Sequence, residues 1–234
     1  MRERIKKIKE LAKVPMEDDH KLKRVEIIIL KFKEDPEIID KCVSLILHNT
    51  KWPFKLNIFD NRPNSANTSR IWNKLIREST CDYVCIIDSD AFVPATDPCW
   101  LTRLMESVDV TGCIIPMGDN AGGSNKAQTA KPYPSQPILD TGIWSGFCFV
   151  IKKSLWQETG GFDEDFYFYG QDSEFANRLK RKNGTLIRPD VLVRHIGSYS
   201  GKKAETEGSF DREADKLYAS ALYRLKISGK VKTL

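Results

Sequence analysis

The first 115 residues alternate short apolar runs with amphipathic segments, and this alternation restricts the chain to a small group of folds. Strand-like runs occur at 25–30, 54–59, 83–87 and 110–115, with helical spacing of apolar residues between them. The order βαβαβαβ predicts a parallel sheet with right-handed crossovers. Because ligands of such sheets bind beyond the carboxyl ends of the strands, polar residues directly after each strand are the first candidates for chemistry.

Glycine is missing from the first 111 residues, although the whole chain contains 14 glycines. A P-loop, a dinucleotide-binding G-x-G-x-x-G turn and the N-terminal loop of sugar nucleotidyltransferases all need glycine where this chain has none. A G-x-S-x-G motif is also absent, which excludes the usual hydrolase elbow. The sequence therefore argues against phosphate binding through a glycine-rich loop.

The composition is that of an ordinary globular protein, with 41% apolar and 29% charged residues. No apolar run approaches the roughly 20 residues that span a bilayer, and the N-terminus is charged where a secretory signal has its apolar core. The six cysteines lie mostly in apolar segments and form no C-x-x-C pair. We therefore expect buried free thiols rather than disulfides or zinc ligands, and a cytoplasmic protein that is either free or peripheral to a membrane.

The net charge of +5 comes from the two ends of the chain. Residues 1–24 carry nine basic and five acidic groups, and residues 201–234 carry eight and five. Apolar residues in both segments have helical spacing, which predicts a basic N-terminal helix and linker at 1–24 and a basic helical tail at 201–234. Such helices can pack on the protein, remain in solvent, or contact an anionic surface or acceptor.

Polar residues follow two of the predicted strands. Asp88 and Asp90 come directly after the third strand, and residues two apart on an extended chain project to the same side. Two such carboxylates suit Mg²⁺ or Mn²⁺ shared with substrate phosphates, and a turn that only caps the strand is the alternative. Asp60 and Asn61 end the second strand in the same manner. A carboxylate there can accept a hydrogen bond from a nucleobase, or it can belong to an ordinary turn.

The order of these segments resembles family 2 glycosyltransferases of the GT-A fold over residues 25–200. In the first half the resemblance rests on LNIFDN at 56–61, the helix with WN at 72–73, and DYVCIIDSDA at 82–91. In the second half it rests on GFCFVI at 146–151, GGFDEDF at 160–166, YGQD at 169–172, RL at 178–179 and VRHIG at 193–197. The stretch from 160 to 172 is the most specific part.

This resemblance implies an α/β protein with a GT-A-type (Rossmann-like), mostly parallel sheet flanked by helices. It further implies that the glycosyltransferase domain at 25–200 has a nucleotide-sugar-binding half at 25–115 and an acceptor half at 116–200. The terminal helices at 1–24 and 201–234 lie outside the region of resemblance.

The resemblance also implies a metal and diphosphate site. Asp88 and Asp90 correspond to the family's Asp-x-Asp (DxD) motif, which holds a divalent metal and the donor diphosphate, with Asp90 the more direct ligand. His195 corresponds to a histidine that completes the metal site, and a purely structural histidine is the alternative. Asp60, followed by Asn61, corresponds to the carboxylate that contacts the base of the nucleotide.

Asp172 corresponds to the catalytic base of inverting members of this family. A carboxylate at the start of a predicted helix at 173–182 is well placed to take the proton of an acceptor hydroxyl. The alternative is that Asp172 only caps that helix.

The sequence thus predicts a metal-dependent glycosyltransferase that moves a sugar from a nucleoside diphosphate, UDP in first place, to an acceptor hydroxyl with inversion. Mn²⁺ or Mg²⁺ is the expected cofactor, and the acceptor can be a glycan, a lipid-linked group, a protein or a modified nucleic acid. A sugar nucleotidyltransferase, a transferase for a modified nucleic-acid base and an inactive nucleotide-sugar-binding module are the alternatives. Residues 30–33 and 61–65 depart from the family pattern, so the base could differ from uracil.

Overall fold

The structure, a computed structural model, describes residues 23–62, 67–120, 128–129, 138–140 and 144–230. The helix predicted near the N-terminus lies outside these ranges. Within them, no helix has both the length and the apolar character that crossing a bilayer requires.

The described residues form a sheet of eight strands. In chain order the strands are β1 (Val25–Lys31), β2 (Phe54–Asp60), β3 (Tyr83–Asp88), β4 (Ala91–Phe92), β5 (Cys113–Gly118), β6 (Ile138–Asp140), β7 (Cys148–Lys152) and β8 (Thr185–His195). The order across the sheet is β2-β1-β3-β7-β5-β8-β4, and β6 pairs with β8. The pairs β1 with β2, β1 with β3 and β5 with β8 are parallel, whereas β7 enters antiparallel between β3 and β5.

Helices cover both faces of this sheet. Within the described ranges they are α1 (Pro36–Asn49), α2 (Thr68–Glu78), α3 (Trp100–Met105), α4 (Val108–Thr111), α5 (Lys153–Thr159), α6 (Gln171–Lys180), α7 (Tyr199–Thr206) and α8 (Arg212–Ile227). Alternate residues of β1 belong to different cores: Ile27 and Ile29 pack with α1, α3 and α4, and Ile28 packs with α2, α5 and α6. Burial on both faces explains the continuous apolar run of β1 and confirms the predicted α/β class. All six cysteines are free and buried, as predicted.

Three predicted strand boundaries are wrong. The strand predicted at 110–115 begins at Cys113, because the preceding residues form α4, which ends at Gly112 in the left-handed conformation (φ 79°). The apolar runs at 144–151, 185–187 and 191–193 also predict strands. The first of these strands begins only at Cys148. The other two are a single strand, β8, whose register with β5 shifts in the middle.

The C-terminal segment packs on the rest of the protein. Within the tail at 201–234, the apolar spacing predicts a helix at about 210–227, and helix α8 confirms it. Ala219 and Leu222 of this helix pack against Phe166. Lys226 is buried in the same contact and forms an ion pair with Asp163, which is also buried. This helix is therefore anchored by an apolar contact and by a buried charge pair.

Much of the positive charge of the C-terminal segment is matched by nearby carboxylates. The pairs are Lys203 with Asp35, Arg212 with Glu205, Lys216 with Glu213, and Lys226 with Asp163 and Asp165. Helix α7 also contacts the loop after β1, since the Tyr199 hydroxyl donates to Asp35. Four of the eight basic residues at 201–234 therefore have carboxylate partners within the fold.

Candidate active site

A cavity of about 550 Å³ opens beyond the carboxyl ends of β1 and β3, where ligands of parallel sheets bind. Its volume lies within the roughly 300–1,000 Å³ of small-molecule pockets. Four of the predicted site residues line it: Asn61, Asp88, Asp172 and His195. Other lining residues come from the end of β1 and its following loop, the start of α2, the segment before β7, and the starts of α6 and α7 with the residues that precede them. Lys216 of α8 also lines the cavity.

Asp88, Asp90 and His195 come together at this cavity, and their ligand atoms all lie within 4.8 Å of one another. His195 Nε2 lies 3.2 Å from Asp90 Oδ1 and 3.5 Å from Asp88 Oδ2. The short strand β4 causes this convergence, because Ala91 pairs directly with His195 at the end of β8. The turn that carries the two carboxylates is thereby held against the histidine.

The ring of His195 is fixed from two sides. It stacks on Phe147 with ring centroids 4.8 Å apart, and its Nδ1 lies 2.8 Å from the Asn120 carbonyl oxygen. A hydrogen on Nδ1 donates to this carbonyl, and Nε2 then faces the two carboxylates. Burial opposes the charged imidazolium, but hydrogen bonds and the negative charges of Asp88 and Asp90 outweigh it and raise the pKa of His195 to about 10.

Asp90 is oriented by the backbone that follows β8. Its Oδ2 accepts a hydrogen bond from the Gly197 N–H at 3.1 Å, so Oδ1 is the oxygen that faces His195. Gly197 has a φ of +81°, and a Cβ at this position would lie 2.5 Å from Asn120 Nδ2. Glycine is therefore required there for both conformation and space. The resulting set of two carboxylates and one imidazole nitrogen fits a divalent cation.

Asp172 lines the same cavity from the first turn of α6. Helix α6 begins at Gln171, two residues before the predicted start, because Gly170 takes a left-handed conformation (φ 82°) as the N-cap. Asp172 accepts hydrogen bonds from the N–H groups of Ser173 at 2.7 Å and Gly146 at 2.9 Å. Its carboxylate thus joins two elements instead of capping one helix. Burial raises the pKa of Asp172, although these hydrogen bonds act in the opposite direction.

The structure separates the neighbouring residues Asp60 and Asn61. Asp60 is outside the described cavity lining and forms an ion pair with Arg62, whose Nε donates to Oδ1 at 2.7 Å. The Arg62 hydrogen bonds lower the pKa of Asp60. Asn61 is buried and lines the cavity, and its backbone N–H donates to the Lys31 carbonyl.

Two further residues at the cavity were not predicted. Thr68 Oγ1 and Gln171 Oε1 are buried and have no hydrogen-bond partner within the described part of the chain. Buried polar atoms are usually paired, so a ligand hydroxyl or N–H is a suitable partner for each. The sequence around Thr68 indicates only the start of a helix. Gln171 could have been predicted as a site residue because it directly precedes Asp172.

Trp144 flanks a predicted strand, where an aromatic residue can belong to the core or line the acceptor pocket, and in the structure it does both. It is buried in the core on the α2 face, its indole N–H donates to Thr185 Oγ1 at 2.9 Å, and it also lines the cavity.

Comparisons with known proteins agree with this architecture. A family model described as the N-terminal domain of galactosyltransferase matches residues 136–202, which include Asp172 and His195. The chain is similar to the crystal structure of GalNAc-T7 with UDP, GalNAc and Mn²⁺, with a TM-score of 0.58 and 14% identity over 76% of this chain and 44% of that chain. It is also similar to S. aureus TarS 1–349, with a TM-score of 0.56 and 10% identity over 84% of this chain and 69% of that chain.

No curated protein sequence matches the chain at a significant level. The chain spans less than half the length of the GalNAc-T7 chain that it resembles. At these identities the similarity concerns the fold. The chain has the GT-A-type fold of glycosyltransferases.

Proposed function

We propose that the protein is a metal-dependent glycosyltransferase that moves a sugar from a nucleoside diphosphate, UDP in first place, to an acceptor hydroxyl. The convergence of Asp88, Asp90 and His195 at a cavity that Asp172 also lines carries this proposal. Membership of family 2 is part of the proposal and is supported by the motifs at 82–91 and 160–172. The crystal structure of GalNAc-T7 with UDP and Mn²⁺ supports the choice of donor and cofactor.

In this proposal Asp88, Asp90 and His195 hold a divalent cation. Mg²⁺ takes mainly oxygen ligands in strict octahedral geometry, so the imidazole favours Mn²⁺. When bound, the cation neutralises the charge of the leaving diphosphate. The Asn120 carbonyl and the Phe147 ring keep His195 Nε2 directed at the two carboxylates before the donor arrives.

Asp172 takes the proton of the acceptor hydroxyl, which implies an inverting reaction. Its two backbone hydrogen bonds orient the carboxylate, and its raised pKa makes it a better base than an exposed aspartate. Because protonation removes the base, the rate falls as the pH decreases through this raised pKa.

Asn61 is the residue of the 60–61 pair that contacts the nucleotide base, whereas Asp60 is held in ion pairs with Arg62 and Lys31. Burial and position in the cavity lining support the first assignment. The hydrogen bonds from Arg62 support the second.

The remaining parts of the proposal concern the surroundings of the enzyme. Residues 25–200 form the catalytic unit, and its buried free cysteines support a reducing, cytoplasmic location. The proposal allows four classes of acceptor, namely a glycan, a lipid-linked group, a protein and a modified nucleic acid. Contact of the basic segments 1–24 and 201–234 with an anionic surface stays a prediction.

A panel of nucleotide sugars with Mn²⁺ or Mg²⁺ tests this function without knowledge of the acceptor. We expect one UDP-sugar to raise the melting temperature and to be hydrolysed slowly with Mn²⁺, and to a smaller extent with Mg²⁺. Asp172→Asn should keep the stabilisation by donor and lose turnover. Asp40→Asn, an exposed carboxylate on α1, serves as the matched control and should keep both.

Other outcomes contradict the proposal. Release of pyrophosphate from a nucleoside triphosphate and a sugar phosphate would identify a nucleotidyltransferase. Stabilisation by the donor without hydrolysis or transfer would identify an inactive binding module. Normal turnover by Asp172→Asn would remove this residue from the role of base.

A further inference from the structure

Helix α8 has two apolar faces. The described part of the chain covers the inward face, which carries Ala219 and Leu222, and leaves the outward face exposed. The outward face presents the outer stripe, which consists of Ala214, Leu217, Tyr218, Ala221 and Leu225. Three- and four-residue spacing confines these side chains to about 100° of the helix surface. Leu217 is 72% exposed, Tyr218 54% and Leu225 40%. A contiguous exposed apolar stripe of this kind usually marks an interaction surface.

The outer stripe alternates small and large side chains along the helix. If a second α8 lies antiparallel on it with the crossing between residues 219 and 220, Leu225 of each copy faces Ala214 of the other. In the same register Tyr218 faces Ala221. Large side chains then meet small ones at both positions, which lets two helices approach closely and interdigitate. The sequence of the stripe is therefore complementary to itself when reversed.

The charged residues beside the outer stripe are complementary in the same antiparallel arrangement. Glu213 lies near the start of α8 and Arg224 near its end, and both are exposed. They are eleven residues apart, about three helical turns, so they lie on the same edge of the stripe. A two-fold axis brings like edges together in reverse direction, which places each Glu213 beside the Arg224 of the other copy. Glu213 also has a Lys216 partner within α8, at 2.9 Å.

We propose that the outer stripe is a self-association surface on which two copies of the chain pair through antiparallel α8 helices. The contact is isologous, since the same patch serves both copies. Two 16-residue helices of about 24 Å offer less area than a standard interface. The dimer is therefore weak and reversible.

Sedimentation velocity of the full 234-residue chain across a range of about 1–200 µM tests the dimer. Leu217→Lys places a charge at the most exposed large side chain of the stripe and should weaken association by about tenfold or more. Ile227→Lys is the matched control: Ile227 is 48% exposed on the same helix but points away from the stripe, so association should change little. Circular dichroism and melting temperature check that both variants fold.

Charge exchange tests the antiparallel register. Glu213→Arg and Arg224→Glu should each weaken self-association, because like charges then meet across the two-fold axis at both ends. An equimolar mixture of these two variants should associate again, because each unlike pair is restored in the mixed dimer. A parallel or unrelated contact would not show this rescue.

Four results would overturn the proposal. They are a monomer at every concentration, a dimer that Leu217→Lys leaves intact, a failure of the mixed variants to associate, and flotation with anionic vesicles that depends on Leu217 while the protein stays monomeric. The last result would assign the outer stripe to a membrane surface.

Discussion

Strands β2 and β3, which lie on either side of β1, both end in carboxylates, and the structure gives these carboxylates different partners. Asp60 at the end of β2 is held by Arg62, two residues further along the chain. Asp88 and Asp90, at the end of β3, face His195 from the far end of β8. The comparison shows that a carboxylate at the end of a parallel strand is placed at the carboxyl edge of the sheet. Whether the carboxylate can serve a ligand depends on the side chains that reach it there.

The largest expected difference between the two sites concerns metal-dependent turnover. Asp90→Asn should abolish stabilisation by Mn²⁺ and lower donor hydrolysis by about 10³-fold or more, because several kcal/mol of charge stabilisation are lost. Asp60→Asn should keep the Mn²⁺ effect and lower the rate by less than about tenfold. Equal losses in a Mn²⁺ titration of both variants would remove the distinction between the sites.

A smaller difference is expected between Asp60 and Asn61 in their effect on UDP binding. Asn61→Ala should weaken UDP binding by about tenfold, the size expected for one lost buried hydrogen bond, whereas Asp60→Ala should weaken it by about threefold at most. Calorimetric titration with UDP and Mn²⁺ measures both, with melting temperatures as the folding control. Stronger dependence on Asp60 would show that its ion pair opens to receive the base.

The smallest effect concerns the Asp60–Arg62 pair itself. Arg62→Ala should lower the free energy of unfolding at pH 7 by less than about 1 kcal/mol, since exposed ion pairs contribute little. Arg62 lowers the pKa of Asp60 from its usual 3.8, so the pair stabilises the fold above that pH and this contribution is lost as the pH falls through the lowered value. Urea unfolding at neutral and acidic pH should show the two proteins converging in acid. A constant difference would assign the effect to packing.

The local pattern of the sequence was enough to locate the metal-binding candidates. A buried strand that ends at Asp88 leaves little freedom for the position of the carboxylates, and the structure places them at the predicted edge. Asp172 and His195 could be predicted only through the family resemblance, because neither helical spacing nor strand alternation says which distant segments meet. The structure brings both to the same cavity.

Two side-chain contacts could not be predicted from the spacing of apolar and polar residues. The Asp60–Arg62 contact depends on the conformation of a turn, which periodicity does not describe. The sequence gives no reason to expect Lys226 to be buried. It is buried in the structure because Asp163, more than 60 residues earlier in the chain, supplies a buried partner. Basic residues at the end of a chain are therefore weak evidence for an anionic partner until their internal partners are known.

The antiparallel entry of β7 between β3 and β5 has a consequence for how the chain folds. A chain synthesised only as far as residue 118 would have β3 and β5 without their common neighbour, and open strand edges promote aggregation. Strands β3 and β5 are joined only when residues 148–152 insert between them, a contact of long sequence separation that slows folding. Through β7, the strands on the two sides of the cavity belong to one continuous sheet.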